Sequence, residues 1–338
     1  MQLRDAKSWN IETSLPRLTA FTMGEELVQM AQERGDIVVL TADLMFSNGT
    51  KAFHDRFPER FYNIGIAEQN MISVAAGMAA SGQLPYVSTF ASFASLLGAE
   101  QIRTDLAYPR MPVRILAHHA GIAMGFYGTS HHAVEDIAIM RAMANMTIVS
   151  PCDGASTRAA LRATVDVDGP VYVRLGRGVE KEVYAAPPDL RPGRFVTLRE
   201  GTDATIIATG VPVRAALDAA DALKAEGISV EVMDAVYLKP LDVDAILAAA
   251  GRTGAIMTVE EHNPNGGLGG AVAEVIAENG CGCRFARHAL PDAYALVAPP
   301  THLYRHYGLD AVGIAAKLRT LIESGSARPA TIAAAETL

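Results

Sequence analysis

The run Asp36-Ile-Val-Val-Leu-Thr-Ala42 is apolar and β-branched almost throughout, the pattern of a strand buried on both faces, and it constrains the fold more than any other stretch. Runs of the same kind recur at Tyr62–Ile66, Pro85–Thr89, Val113–Ala117, Thr147–Ser150 and Val171–Leu175. Around them the apolar spacing is helical, over Phe21–Glu33, Glu68–Ser81, Ser92–Leu106, Val134–Ala144 and Gly154–Val165. Buried strands alternating with helices predict an α/β fold built on a doubly wound, mainly parallel sheet.

Val183-Tyr-Ala-Ala-Pro-Pro-Asp-Leu-Arg-Pro-Gly193 breaks this pattern with a proline pair and a Pro-Gly turn, which mark a linker. A second, smaller α/β unit follows. Its strands are expected at Ala204–Ala208, Ser229–Met233, Ala255–Val259 and Arg284–His288, and its helices at Val213–Glu226, Val243–Ala250, Gly270–Glu278 and Leu309–Glu323. The division therefore reads 1–17 as an arm, 18–183 as the first domain, 184–194 as the linker, 195–324 as the second domain and 325–338 as a tail. A chain of 338 residues, half of them hydrophobic, has the material for two such cores.

A formal charge of −8 argues against nonspecific binding to nucleic acid or to an anionic membrane. Three cysteines, Cys152, Cys281 and Cys283, make no disulfide framework, and Cys281-Gly-Cys283 has too few ligands nearby to define a metal site. The N-terminus lacks a signal-peptide core and no apolar stretch is long enough to span a bilayer, so a cytoplasmic protein is expected. The loop His262-Asn-Pro-Asn-Gly-Gly-Leu-Gly-Gly-Ala271 invites a phosphate-loop reading. Gly267-x-Gly269 lacks the third glycine and the downstream acid of a dinucleotide site, which leaves a close-packed turn.

Phe61-Tyr-Asn-Ile-Gly-Ile-Ala-Glu68-Gln-Asn-Met-Ile-Ser-Val-Ala-Ala-Gly77 reads as a strand, a glycine turn and a helix of small residues. With Gly65 as N-cap, Glu68 falls at N3, where an acid favours the helix dipole and reaches back to the cap. Locally that means only a helix start. The whole string, however, resembles the pyrimidine-binding domain of thiamin-diphosphate enzymes of the transketolase family, deoxyxylulose-phosphate synthases included, and the resemblance covers most of the chain. It implies a thiamin-diphosphate-binding domain followed by a transketolase C-terminal domain that is usually not catalytic.

The same resemblance assigns the residues. Glu68 would hold N1′ of the aminopyrimidine and drive the cofactor's own deprotonation. Phe90 and Phe93 match the aromatic wall of the pyrimidine pocket, where Leu96 replaces a third aromatic; either ring alone could equally be core. Ile66 and Asp43 fall beside the cofactor and Ser47 near the sugar phosphate, although Asp43-x-x-x-Ser47-Asn is also ordinary turn chemistry. His119 matches a histidine near the donor sugar's C1 hydroxyl and carbonyl, and His131 one that contacts its hydroxyls. Their neighbours His118 and His132 have no counterpart role. Arg177 matches the arginine that holds the phosphate, with Arg174 as a second candidate.

Two departures bear on the sugar. Phe126-Tyr127-Gly128 stands where relatives carry an acid pair before the glycine, which puts Tyr127 against the substrate, and Ala20 stands where they carry an arginine. The Gly-Asp-Gly of the diphosphate and Mg²⁺ loop occurs nowhere in the chain. The resemblance is therefore to one half of a split transketolase. It puts Mg²⁺ and the diphosphate on a partner chain with Gly-Asp-Gly and a later Asn, in a heterotetramer; small bacterial enzymes acting on apulose 4-phosphate have this layout. The expected activity is transfer of a two-carbon ketol unit from a phosphorylated or otherwise acidic ketose to an aldose. The β-subunit of a 2-oxo-acid dehydrogenase and a non-catalytic regulatory module share the fold and stand as alternatives.

Overall fold

A computed structural model describes residues 19–177 and 180–324; the expected arm and tail fall outside the described residues. The first half supplies strands β1 (Ile37–Thr41), β2 (Phe61–Asn63), β3 (Leu84–Phe90), β4 (Arg114–His118), β5 (Thr147–Val149) and β6 (Val171–Arg174). The second supplies β7 (Val196–Arg199), β8 (Ala204–Ala208), β9 (Val230–Asp234), β10 (Tyr237–Lys239), β11 (Ala255–Val259) and β12 (Arg284–His288). One sheet runs β10-β5-β6-β4-β3-β1-β2, the other β12-β11-β8-β9-β7. Both are parallel except at one edge, where β10 joins β5 and β7 joins β9 antiparallel.

Alternation along β1 explains its unbroken apolar run. Val38 and Leu40 enter one core with Met71, Ile72, Val87 and Ile115, while Ile37 and Val39 enter another with Met23, Leu27, Tyr86 and Leu116. Each such side chain contributes about 1.5–3 kcal/mol on full burial. The first of these cores continues into the second half through Ile207, Met233, Ile246 and Val272. The two halves are thus packed against each other, and β10 crosses over to complete the first sheet.

The helices of the first half are α1 (Thr19–Glu33), α2 (Lys51–Arg56), α3 (Glu68–Ala80), α4 (Ala99–Gln101), α5 (Asp136–Ala142) and α6 (Gly154–Ala163). Those of the second are α7 (Pro212–Lys224), α8 (Val243–Thr253), α9 (Leu268–Glu278), α10 (Pro300–His306) and α11 (Ala311–Glu323). Among the described residues no helix is long and apolar enough to cross a membrane.

Three local expectations change. The strand expected over Tyr62–Ile66 ends at Asn63, because it is an edge strand and Gly65 (φ 82°) turns the chain out, leaving Ile66 85% exposed. The helix expected over Ser92–Leu106 opens into wide turns on either side of α4, where Gly98 N–H donates to Phe93 O at 3.0 Å and Tyr108 N–H to Arg103 O at 2.9 Å. Such π-type turns often occur at functional sites. The phosphate-loop look of the glycine-rich segment also has another cause. Buried Glu260 accepts the Leu268 and Gly269 N–H groups at 2.7 Å each, so the N-terminus of α9 is capped by the protein's own carboxylate.

Candidate active site at the carboxyl edge of the first sheet

Glu68 opens α3 as its first residue, with Ala67 rather than Gly65 as N-cap, so the expected N3 placement is corrected. Left-handed Gly65 bends the chain first, and Ala67 N–H closes a tight turn onto Gly65 O at 2.8 Å. No side-chain cap bond forms at this terminus. The Glu68 side chain turns inward instead, is 5% exposed, and its Oε1 accepts the Thr89 hydroxyl at 3.2 Å. Thr89 lies on β3 immediately before Phe90, which ties the carboxylate to the aromatic wall.

A cluster of rings stands at the ends of β3 and β4. Phe90 and Phe93 lie 5.4 Å apart between centroids, Phe90 lies 4.2 Å from His119, and His131 lies 5.5 Å from Phe90 and 5.4 Å from Phe93. Tyr127 closes the group 4.9 Å from His131, whose Nδ1 is 2.8 Å from Ser130 Oγ. His119 is wholly buried and neither ring nitrogen has a hydrogen-bond partner. Burial holds its pKa well below the usual histidine range, helped by the charges of His118, Arg177 and His131. Burial lowers His131 as well. Both are therefore neutral imidazoles near pH 7, able to donate at one nitrogen and accept at the other. His119 holds a left-handed backbone (φ 62°), a conformation that costs roughly 1–2 kcal/mol outside glycine and gathers at functional positions.

The remaining candidates occupy the same edge with different partners. Asp43, also left-handed (φ 61°), exchanges hydrogen bonds with Asn63 at 3.0 Å through both its amide and its carboxylate. Ser47 is half-buried in the following turn, whose Asn48 donates to Ser88 Oγ on β3 at 3.2 Å. Ile66 and Leu96 project outward. Arg177 is half-buried just beyond β6, and desolvation lowers its pKa against the opposing charges of Tyr127 and Glu180. Arg174 is different: it is buried, its Nε donates to Asp136 Oδ2 at 2.9 Å, and it belongs to the framework rather than to a phosphate site. His118 and His132 are buried with unpartnered ring nitrogens, and burial pushes His118 down to about 3. The side chain of Ala20 lies outside the described residues.

Open α/β sheets bind ligands beyond the carboxyl ends of their strands. Glu68, Phe90, His119 and Arg177 are all there, which makes the class an α/β ligand-binding protein with a second α/β unit packed on one face. Residues 18–180 match the transketolase pyrimidine-binding domain, and residues 193–314 match the transketolase C-terminal domain. One of the two apulose-4-phosphate transketolase subunits of Phocaeicola vulgatus is 40% identical over 86% of this chain and 93% of its own length. A 6-deoxy-6-sulfo-D-fructose transketolase subunit of a Clostridium species is 39% identical over 84% and 88%. A solved split-gene transketolase, described as an inactive β4 tetramer, superposes with a TM-score of 0.84 at 42% identity, covering 90% of this chain and 98% of that one. The chain belongs to the transketolase family.

The residues present fit the thiamin diphosphate that such domains imply. A buried carboxylate, a pair of phenyl rings and a buried imidazole with both nitrogens unpartnered offer an aminopyrimidine what it needs: an acid-base partner, apolar faces and hydrogen-bonding groups. Sequence reading missed Thr89, Asn63 and Ser130, the partners of Glu68, Asp43 and His131, because nothing local marks a hydroxyl or amide as the holder of a distant residue.

Proposed function

We propose that this chain is the pyrimidine-binding subunit of a two-chain transketolase that moves a two-carbon ketol unit from an acidic ketose to an aldose. The observation that carries the reading is His119, wholly buried against Phe90 with both ring nitrogens unpartnered, in the ring cluster tied through Thr89 to Glu68. Burying an unpaired polar group costs free energy unless a ligand or water completes it.

When bound, thiamin diphosphate supplies an electron sink for cleaving the bond beside a carbonyl. Glu68 holds N1′ and shares a proton with it, while Phe90, Phe93, Ile66 and Asp43 frame the cofactor. Neutral His119 and His131 bind the sugar's hydroxyls and move protons between them. Ser47 and Arg177 take the acidic end of the ketose, and Tyr127 lies against its hydroxyls. Mg²⁺ and the diphosphate belong to a partner chain with Gly-Asp-Gly and a later Asn, in a cytoplasmic heterotetramer. The exposed apolar side chains at the mouth, Phe46, Ile66, Leu96 and Leu97, support a covering partner at this edge. The names of two relatives, with apulose 4-phosphate and 6-deoxy-6-sulfo-D-fructose, support a phosphorylated or sulfonated sugar.

The test is a titration of thiamin diphosphate with Mg²⁺ into the chain alone and into the two-chain complex. Weak binding by the chain and tight binding by the complex, with two-carbon transfer only in the complex, is the expected result. Tight, saturable binding by the isolated chain would sink the two-subunit reading.

A further inference from the structure

The loop that presents Tyr127 and His131 is closed at its base. Gly121 N–H donates to Ala133 O at 2.9 Å, and Ala133 N–H returns to Gly121 O at 3.0 Å. Against this closure sits Glu261, one residue past Glu260 beyond the end of β11 in the second half of the chain, and 1% exposed. Its Oε2 accepts the Ile122 N–H at 3.4 Å at the loop's start and the Tyr304 hydroxyl at 2.5 Å. Its Oε1 lies 3.7 Å from Arg174 Nη1. Arg174 Nη2 donates both to Glu261 O and to Ala133 O, each at 3.2 Å, so the same pair grips the loop's end. Arg174 is in turn anchored by Asp136, which also accepts the Tyr172 hydroxyl at 3.0 Å. Asn263 N–H donates to Val134 O at 2.9 Å just past the closure.

Contact is so close that a side chain at Gly121 is excluded: a Cβ there would lie 2.2 Å from Glu261 Oε2. The second half touches the loop's tip as well, since a Cβ at Gly125 would lie 2.2 Å from Ala298 O and one at Gly128 would lie 2.9 Å from Val297 Cγ2. We propose that Glu261 is a positioning residue for the candidate site, holding the Gly121–Ala133 loop in the register that places Tyr127 and His131 beside Phe90 and Phe93. This rests on the transketolase reading of that site. The second α/β unit then acts on substrate binding without touching substrate.

Glu261→Gln keeps the shape and an acceptor for Tyr304 and Ile122 but turns an amide and no charge toward Arg174. Tyr304→Phe removes one donor and leaves the charge, which covers the case where the first variant fails to fold. Glu274→Gln is the control, because it cuts the Arg141–Glu274 bridge at 2.6 Å between the same two halves without touching the loop. Amide hydrogen exchange on the full chain should quicken about tenfold or more within Gly121–Ala133 in Glu261→Gln, less in Tyr304→Phe and not in the control. In the two-chain enzyme the ketose KM should rise about tenfold with kcat nearly kept, as expected where ground-state and transition-state binding fall together. Exchange that stays at the wild-type rate in the loop, or that quickens equally across the whole chain, overturns the proposal. Loop-confined exchange together with a wild-type complex inactive on every ketose would support the positioning role and remove the transketolase reading.

Discussion

Replacing Glu68 with Gln separates two roles that share one carboxylate. As the first residue of α3 the acid sits at the positive end of the helix dipole, an effect worth about 0.3–1 kcal/mol near a helix start. The amide keeps the volume of a side chain that is 5% exposed, and its oxygen still accepts the Thr89 hydroxyl now found 3.2 Å from Oε1. Folding should therefore lose little, and the melting temperature should move by a few degrees at most. What the amide cannot do is exchange a proton with N1′ of the cofactor. Loss of a positioned acid-base group lowers rates by roughly 10²–10⁴. At about 1.36 kcal/mol per decade this is about 2.7–5.5 kcal/mol, several times the dipole effect.

The assay is two-carbon transfer by the reconstituted complex, alongside deuterium exchange at C2 of the bound cofactor followed by NMR. Both rates should fall together while cofactor affinity stays within a few-fold. A variant that keeps near-wild-type transfer and exchange would refute the reasoning and leave Glu68 as a helix-start residue only.

Gly98→Ala should destabilise the fold by about 1–3 kcal/mol through overpacking. A Cβ there would lie 2.3 Å from Ile72 Cδ1, so Ile72→Val should restore part of the lost melting temperature. Asp234 accepts from Cys152 and Tyr184, with Asp153 adding like charge nearby, and burial pushes its pKa up to about 7. The raised folded value means its protonated form favours folding: this contribution is whole below the ordinary carboxylate range and is lost as pH rises through about 7. Asp234→Asn should thus raise the melting temperature at pH 8 relative to wild type more than at pH 5, and an unchanged difference would count against a buried titrating carboxylate. Xylulose 5-phosphate should not be the best donor for the complex, because the family's arginine position is Ala20 and one charge-assisted hydrogen bond is worth about 1.5–3 kcal/mol. A panel of ketoses checks this, and a clear preference for xylulose 5-phosphate over phosphorylated, sulfonated and branched alternatives would show that another group replaces the grip.

Central strands were legible because burial on both faces leaves them no polar positions. Edge strands were not: β2 is half-exposed and three residues long, and β10 is three residues that read as part of the second unit yet pair with β5. The ring cluster was legible only through the resemblance. Phe90, His119 and His131 come from separate strand ends, and no periodicity links residues so far apart in the chain. Glu260-Glu261-His262 reads as a polar, solvated stretch, but the end of β11 buries all three against the other half. Their burial depends on how the halves pack, which a one-dimensional pattern does not carry.

The two places where this chain looks built for an anion or a polar ligand differ in what is already satisfied. At α9 both oxygens of Glu260 take the helix N–H groups, and a Cβ at Gly267 would lie 2.1 Å from Glu260 Oε2. The glycine there makes room for the protein's own carboxylate, and an incoming phosphate would meet negative charge and engaged donors. At the edge of the first sheet the accounting runs the other way. His119 is buried with neither ring nitrogen engaged, and its backbone holds a left-handed turn. Desolvation and strain of that kind are offset in a folded protein only when something completes the hydrogen bonds. The glycine-rich loop, the more conspicuous of the two in the sequence, is thereby a closed structural joint, and the ring cluster is where ligand chemistry remains open.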